Sequence, residues 1–380
     1  MTTLPLYDEE HDLFRTTVRR FVATEISPFV NEWDEAGEFP RALYRKAGEL
    51  GLFGIGFAEE YGGLGRHDAR LLSIISEEFG RCGAGGVPAS LFSNYIGAPP
   101  IEAGGSDEVK SEILPGMLTG DLVCALAVTE PGGGSDVANL RTTARLEEGH
   151  YVVNGQKTFI TSGIRADYIT TAVRTGGPGA SGVSLLVIPT SSQGFSATSL
   201  AKMGWWSSDT ATLYFDDCRV PARYLLGTEN AGFALIMDNF NYERLLLIAG
   251  MMGASRTCYE EALAWARDRH TFGARLADHQ VIRHKLVEMD RRINATRAWM
   301  EQLAWRIDQG DRPVAELAEC KVQASLAMEF CAREAAQILG GASYMRGNPV
   351  ERIYREVRVN AIGGGSEEIM RDLAARQLGI

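Results

Sequence analysis

Apolar positions recur at three-to-four spacing from Tyr7 to about Leu118. Leu13, Phe14, Val18, Phe21 and Val22 set the rhythm, and Asp8-Glu9-Glu10 suits a helix N-terminus. Helices are therefore expected, broken at Gly51, at Tyr61-Gly62-Gly63-Leu64-Gly65 and between Gly83 and Pro88, where glycine clusters read as turns. After Gly120 the period shortens to alternation. Strands are predicted over 122–128, 142–146, 151–153, 157–161, 168–174, 183–188 and 211–215, with a polar turn between Leu146 and Tyr151 and Asn154-Gly155 reading as a further hairpin turn. Short strands with close connections and no helical crossovers indicate an antiparallel barrel or sandwich. From about Ala231 the helical pattern returns: Ile282, Leu286, Met289, Ile293, Met300, Leu303 and Ile307 form one seam, and Pro313 sits near the start of another helix running to Leu339. The pattern predicts an α+β fold, with a helical domain over 1–120, a β domain over 121–230 and a helical bundle over 231–380.

Composition narrows the function. At 380 residues, 45% hydrophobic and 23% charged, the chain can bury two or three real cores and is not a disordered segment. A net charge of −11 argues against a surface for nucleic-acid phosphates. Six scattered cysteines without CxxC pairs, most in apolar runs, read as reduced core residues. The histidines lack zinc spacing, and His279 and His284 are off a shared helical face. Met1-Thr2-Thr3-Leu4-Pro5-Leu6 has no signal-peptide pattern, and no apolar run approaches the roughly 18 residues of a membrane helix, so a cytoplasmic location is expected. The chain lacks a GxGxxG fingerprint after a strand, which leaves nicotinamide binding without support.

The candidate chemistry begins at Val128-Thr129-Glu130-Pro131-Gly132-Gly133-Gly134-Ser135-Asp136, where a strand stops in turn-forming residues and leaves backbone N–H groups beside a buried sheet. Together with Glu59-Glu60-Tyr61-Gly62-Gly63-Leu64-Gly65, Asn154-Gly155-Gln156-Lys157-Thr158-Phe159-Ile160-Thr161, Arg269-His270-Thr271-Phe272-Gly273, His279-Gln280, Gln337-Ile338-Leu339-Gly340-Gly341, Tyr354-Arg355-Glu356 and Gly363-Gly364-Gly365-Ser366, this stretch resembles the acyl-CoA dehydrogenase family of FAD flavoproteins from the first helix to the last residues. The resemblance implies that Val128 and Thr129, with Phe159, Ile160 and Thr161, wall the flavin ring, Thr161 lying near N5. It places Gly134 and Ser135 close to flavin and acyl-CoA. Arg269, Phe272, Gln280, Gln337 and Gly341 match positions that hold the pyrophosphate and adenosine of FAD across a subunit interface, so a homo-oligomer, a tetramer of paired dimers, is implied. An arginine fork suits a diphosphate. Ser366 and Glu368 stand at adenosine-contacting positions, Glu368 where the family often has glutamine. Phe92, Tyr95 and Ile96 fall where the acyl channel is lined, with Tyr242, Arg244 and Gly364 near the thioester.

The same resemblance exposes a gap. Most of the family carries its catalytic glutamate after a tyrosine in the last segment, where this chain has Gly363 and Gly364. A branch that includes isovaleryl-CoA dehydrogenase-like enzymes supplies the base from a Glu-Arg pair on an upstream helix, and Asn241-Tyr242-Glu243-Arg244-Leu245-Leu246 matches it. Glu243 is the expected base: it opens an apolar run, and a buried carboxylate needs a reason to be buried. The Gly364 N–H still polarises the thioester carbonyl in this reading. The expected activity is α,β-dehydrogenation of an acyl thioester, with the glycines making room for a branched or bulky acyl group and electrons passing to an electron-transfer flavoprotein. A flavin oxidase or monooxygenase on the same fold is the alternative, and a non-catalytic DNA-associated protein of this fold is a third, opposed by the acidic charge.

Overall fold

A computed structural model describes residues 6–380, so the reading of Met1 to Pro5 lies outside the described residues. Eight helices come first: α1 (Glu9–Glu25), α2 (Val30–Ala36), α3 (Ala42–Glu49), α4 (Ala69–Gly80), α5 (Gly86–Leu91), α6 (Asn94–Gly97), α7 (Pro99–Gly104) and α8 (Asp107–Thr119). Polar caps start several of them: Asp8 accepts from His11 N at 3.2 Å and Asp68 from Leu71 N at 3.0 Å.

The strands that follow are β1 (Cys124–Ala127), β2 (Thr143–Glu147), β3 (His150–Thr161), β4 (Tyr168–Arg174), β5 (Val183–Pro189), β6 (Phe195–Ser199), β7 (Thr210–Pro221) and β8 (Leu225–Leu226). They form one sheet in the order β6-β7-β3-β2-β4-β5-β8, with β1 joined to β4. Most neighbours are antiparallel, but β1 runs parallel to β4, in register Cys124 with Tyr168. The polar turn between Leu146 and Tyr151 is present, at Glu148 and Gly149, both at positive φ. The hairpin predicted at Asn154-Gly155 is not: β3 runs straight through it with a register shift there. Gly155 sits at φ +144° with Thr142 Cα only 2.7 Å from where a Cβ would stand, so the glycine serves a bulge and a close approach rather than a turn.

Helices close the chain: α9 (Gly232–Asp268), a short hairpin of β9 (His270–Thr271) and β10 (Ala274–Arg275), then α10 (Gln280–Asp308), α11 (Val314–Leu339), α12 (Pro349–Asn360) and α13 (Glu367–Leu378). The predicted α10 seam is real: Leu286, Met289, Ile293, Met300 and Leu303 are buried in the bundle core, with Ile282 and Ile307 packed on its edge. The N-terminal helices and the sheet share a second, continuous core, running from Val18 and Phe79 through Ile169 to Leu226. All six cysteines are buried thiols. No helix among the described residues is long and apolar enough to cross a membrane.

One buried acid ties the three regions together. Glu356, on α12, accepts from Gly85 N at 2.9 Å and from Trp205 N at 3.2 Å, and burial pushes its carboxyl up to about 7, helped by Asp34. The native state holds this proton more tightly than the unfolded chain, so its contribution to stability is intact below pH 4.5 and is lost as pH rises through about 7. Glu356→Gln sets an NH2 group against one of the two N–H donors, at a cost of about 1–3 kcal/mol. Thermal unfolding should show a lower Tm at pH 5 and a shallower fall in Tm between pH 5 and 8 than the native chain. An unchanged Tm at pH 5 would mean that the backbone bond lost to the NH2 group contributes nothing.

Candidate active site

The site is built on the first third of α9. Glu243 and Leu247, one turn apart, share a helical face, and that face meets the turn between α12 and α13. A Cβ placed on Gly364 would stand 2.4 Å from Leu247 Cδ1. Leu247 therefore fills the space that a side chain at 364 would take, so the room expected there is closed. At Gly363 such a Cβ would stand 3.3 Å from Val359 O, a tight contact, and otherwise meets nothing within 4 Å beyond its chain neighbours among the described residues.

Glu243 keeps some surface open while its carboxyl lies deep among protein atoms. Burial pushes it up to about 7, with Arg244 and Lys321 pulling the other way. Arg244 is buried and donates from Nη1 to Asn241 Oδ1 at 2.8 Å and from Nε to Gly364 O at 3.3 Å. In the turn itself Gly363 N donates to Val359 O at 2.7 Å, whereas Gly364 N–H has no acceptor among the described residues. The helical face that carries Glu243 and the turn that carries the unbonded Gly364 N–H thus meet, through Leu247 and Arg244.

The sheet supplies the wall expected to face a flavin. Thr158 N donates to Thr129 O at 2.9 Å, which lays the end of the β1 loop along β3. A bulge between Lys157 and Ile160 turns Phe159 outward at φ +61°, the residue 69% exposed, while Ile160 goes into the core. Ile160 can therefore meet a ligand only through its backbone. Val128 is buried, Thr129 and Thr161 are half-buried, and Gly134 and Ser135 are exposed. Gly132 and Gly133 have nothing within 4 Å of an added Cβ, and Gly134 only Thr129 Cγ2 at 3.3 Å. An outward aromatic plate beside bare backbone fits a planar, polar-edged ring such as isoalloxazine.

The remaining predicted residues divide into groups. Ile96 stands beside α9, its carbonyl accepting from Asn239 Nδ2 at 2.8 Å one turn before Glu243. Phe92 is part of the aromatic core, edge-on to Phe79 at 4.6 Å. Tyr242 lies at the surface, stacked on His67 at 5.7 Å. Arg269, Phe272, Gln280, Gln337 and Gly341 are all exposed. They gather where α9 ends, α10 begins and α11 ends, the last two tied by the Lys285–Glu334 ion pair. That end is about 40 Å along the α9 axis from Glu243. Ser366 and Glu368, at the start of α13, are at the Glu243 end. Sequence reasoning passed over Lys157, Lys321 and Leu247. Each looks ordinary in sequence, and each matters through a partner far away in the chain.

Most of the chain matches models of acyl-CoA dehydrogenase domains: the N-terminal domain over residues 8–121, the middle domain over 125–218 and the C-terminal domain over 230–379. The chain is 36% identical to the mitochondrial long-chain specific acyl-CoA dehydrogenase of Sus scrofa, over 98% of this chain and 87% of that one. Among solved structures, a probable acyl CoA dehydrogenase from Mycobacterium abscessus superposes with a TM-score of 0.95 at 46% identity, covering 98% of this chain and 100% of that one. A glutaryl-CoA dehydrogenase from Mycobacterium smegmatis, solved in complex with FADH2, gives a TM-score of 0.92 at 27% identity, over 99% and 96% of the two chains. With all three domains matched in order, this chain belongs to the acyl-CoA dehydrogenase family of oxidoreductases.

Proposed function

We propose that this chain binds FAD and dehydrogenates an acyl-CoA thioester to the 2-enoyl thioester with Glu243 as base, as in the isovaleryl-CoA dehydrogenase-like branch. The observation that carries the reading is the placement of Glu243: a recessed carboxyl with its pKa near 7, across from a glycine turn whose Gly364 N–H is free. A carboxylate of that basicity suits abstraction of an α-proton at neutral pH. Gly364 N–H donates to the thioester carbonyl and favours the charge that collects on its oxygen as the α C–H bond breaks. The proton passes to Glu243. Bound FAD supplies, at N5, the acceptor for the hydride that leaves the β-carbon. Val128, Thr129, Phe159 and Thr161 hold one face of the site and keep water from it, with Ser135 beside the acyl-CoA. Ile96 and Leu247 bound the acyl side, and branched chains are accommodated toward Gly363.

Arg269, Phe272, Gln280, Gln337 and Gly341 serve the FAD of a neighbouring subunit, since they sit at the far end of the bundle from Glu243, while Ser366 and Glu368 serve the chain's own. The assembly is accordingly a tetramer of paired dimers. An electron-transfer flavoprotein reoxidises the flavin, and the enzyme works in the cytoplasm.

The test is anaerobic titration of the purified flavoprotein with straight and branched acyl-CoAs. Direct bleaching of the flavin by an acyl-CoA is expected, with kcat/KM favouring the branched chains. An enzyme that stays oxidised until a separate reductant is supplied is an oxygenase on this fold, and equal preference for straight chains removes the branched-substrate reading.

A further inference from the structure

Lys321 is a side chain the mechanism has not used. It lies on α11, fully buried, and donates from Nζ to Gly365 O at 2.7 Å. Glu243 and Arg244 on α9 and Glu367 and Glu368 on α13 are the charged groups around it. Among the described residues it forms no ion pair, and neither does Arg244. Burying one ammonium without a carboxylate is costly, and burying a guanidinium beside it costs more. Both cations instead point at the same piece of backbone: Arg244 at Gly364 O and Lys321 at Gly365 O.

That piece of backbone needs outside support. Gly363, Gly364 and Gly365 are three residues without side chains, and the last two are at φ +67° and +104°. Glycine has more conformational freedom to lose than any other residue, so apart from the bonds Gly363 N–H to Val359 O and Glu367 N–H to Ala361 O the turn depends on contacts from other elements for one shape. The Gly363 N–H bond to Val359 O fixes one side of Gly364, and the two cations fix the peptides on the other. Held from both sides, the Gly364 N–H is left with no acceptor of its own among the described residues.

We propose that Lys321 is a positioning residue for the reaction: with Arg244 it clamps the glycine turn so that Gly364 N–H is presented to the thioester carbonyl beside Glu243. The inference rests on the reading that the thioester carbonyl is received at Gly364.

The test compares two ligands that are not turned over, measured by calorimetry on the flavin-loaded enzyme: 3-thiaoctanoyl-CoA, which keeps the thioester carbonyl, and S-octyl-CoA, a thioether without it. The native enzyme is expected to bind the thioester more tightly. Lys321→Met should reduce that preference by about tenfold while leaving thioether affinity and flavin content unchanged. Lys321→Arg, which can still donate to Gly365 O, should restore part of it. Absence of any preference in the native enzyme sinks the Gly364 reading and this inference together. A native preference that survives intact in Lys321→Met sinks the positioning role alone. The role also fails if Lys321→Met loses both ligands equally with a fall in Tm, since that is the signature of a structural lysine.

Discussion

Glu243→Gln should leave an enzyme that folds, binds flavin and binds acyl-CoA, yet bleaches about 10²–10⁴-fold more slowly, the span that loss of a general base typically covers. The substitution keeps the shape of the side chain and removes its basicity, so KM should change little while kcat collapses. A pH profile gives an independent check. In the proposed reaction Glu243 accepts the α-proton and so must be ionised; with its carboxyl held near 7, kcat/KM of the native enzyme should climb with pH through about 7. The acid limb should be absent from whatever activity Glu243→Gln retains. Normal bleaching by Glu243→Gln would place the base elsewhere. Restoring a base at the family's commoner position is not a simple rescue. At Gly364 the backbone is in the left-handed region and Leu247 Cδ1 occupies the side-chain space.

The sequence made some of this legible because the signals were local. A seam of apolar residues at helical spacing needs only its own helix to be read, and the α10 core followed it residue by residue. The motifs of the family are likewise short runs, so the helices-sheet-bundle order could be read from one chain. The errors and omissions share the opposite property. Asn154-Gly155 carries a turn signal, but a glycine that must pass close to Thr142 carries the same letter, and only the sheet pairing tells them apart. Lys321 and Lys157 look like solvated charges until Gly365 and Glu130 come into view. The filling of the Gly364 space by Leu247 depends on two segments more than a hundred residues apart. Three glycines in a row announce room, and the fold had already used part of it.

Lys157 bears the second large effect, on stability rather than chemistry. It is fully buried beneath the loop that follows β1, donating to Val128 O at 3.0 Å and to Glu130 Oε1 at 2.8 Å. Glu130 also takes Arg141 N at 2.6 Å and Thr142 N at 2.8 Å, so one ion pair fastens the Val128–Thr129 backbone to the start of β2 and to the bulge that turns Phe159 outward. Burial pulls the lysine down to about 8. The ammonium survives at neutral pH because the carboxylate beside it opposes that shift. Glu130→Gln takes the partner away and strands the charge; Lys157→Met strands the carboxylate and orphans Val128 O. Each should cost about 3–5 kcal/mol, the range for breaking a buried pair from one side. The double variant Glu130→Gln/Lys157→Met leaves no buried charge and should recover a good part of the loss, a coupling that a thermodynamic cycle on Tm or urea midpoints measures directly. Both single variants should also lose flavin on dialysis faster than the native enzyme, because Thr129 and Phe159 are held in place through this pair. If the single effects simply add in the double variant, the pair is two independent surface-like charges, and the flavin wall owes its shape to the sheet alone.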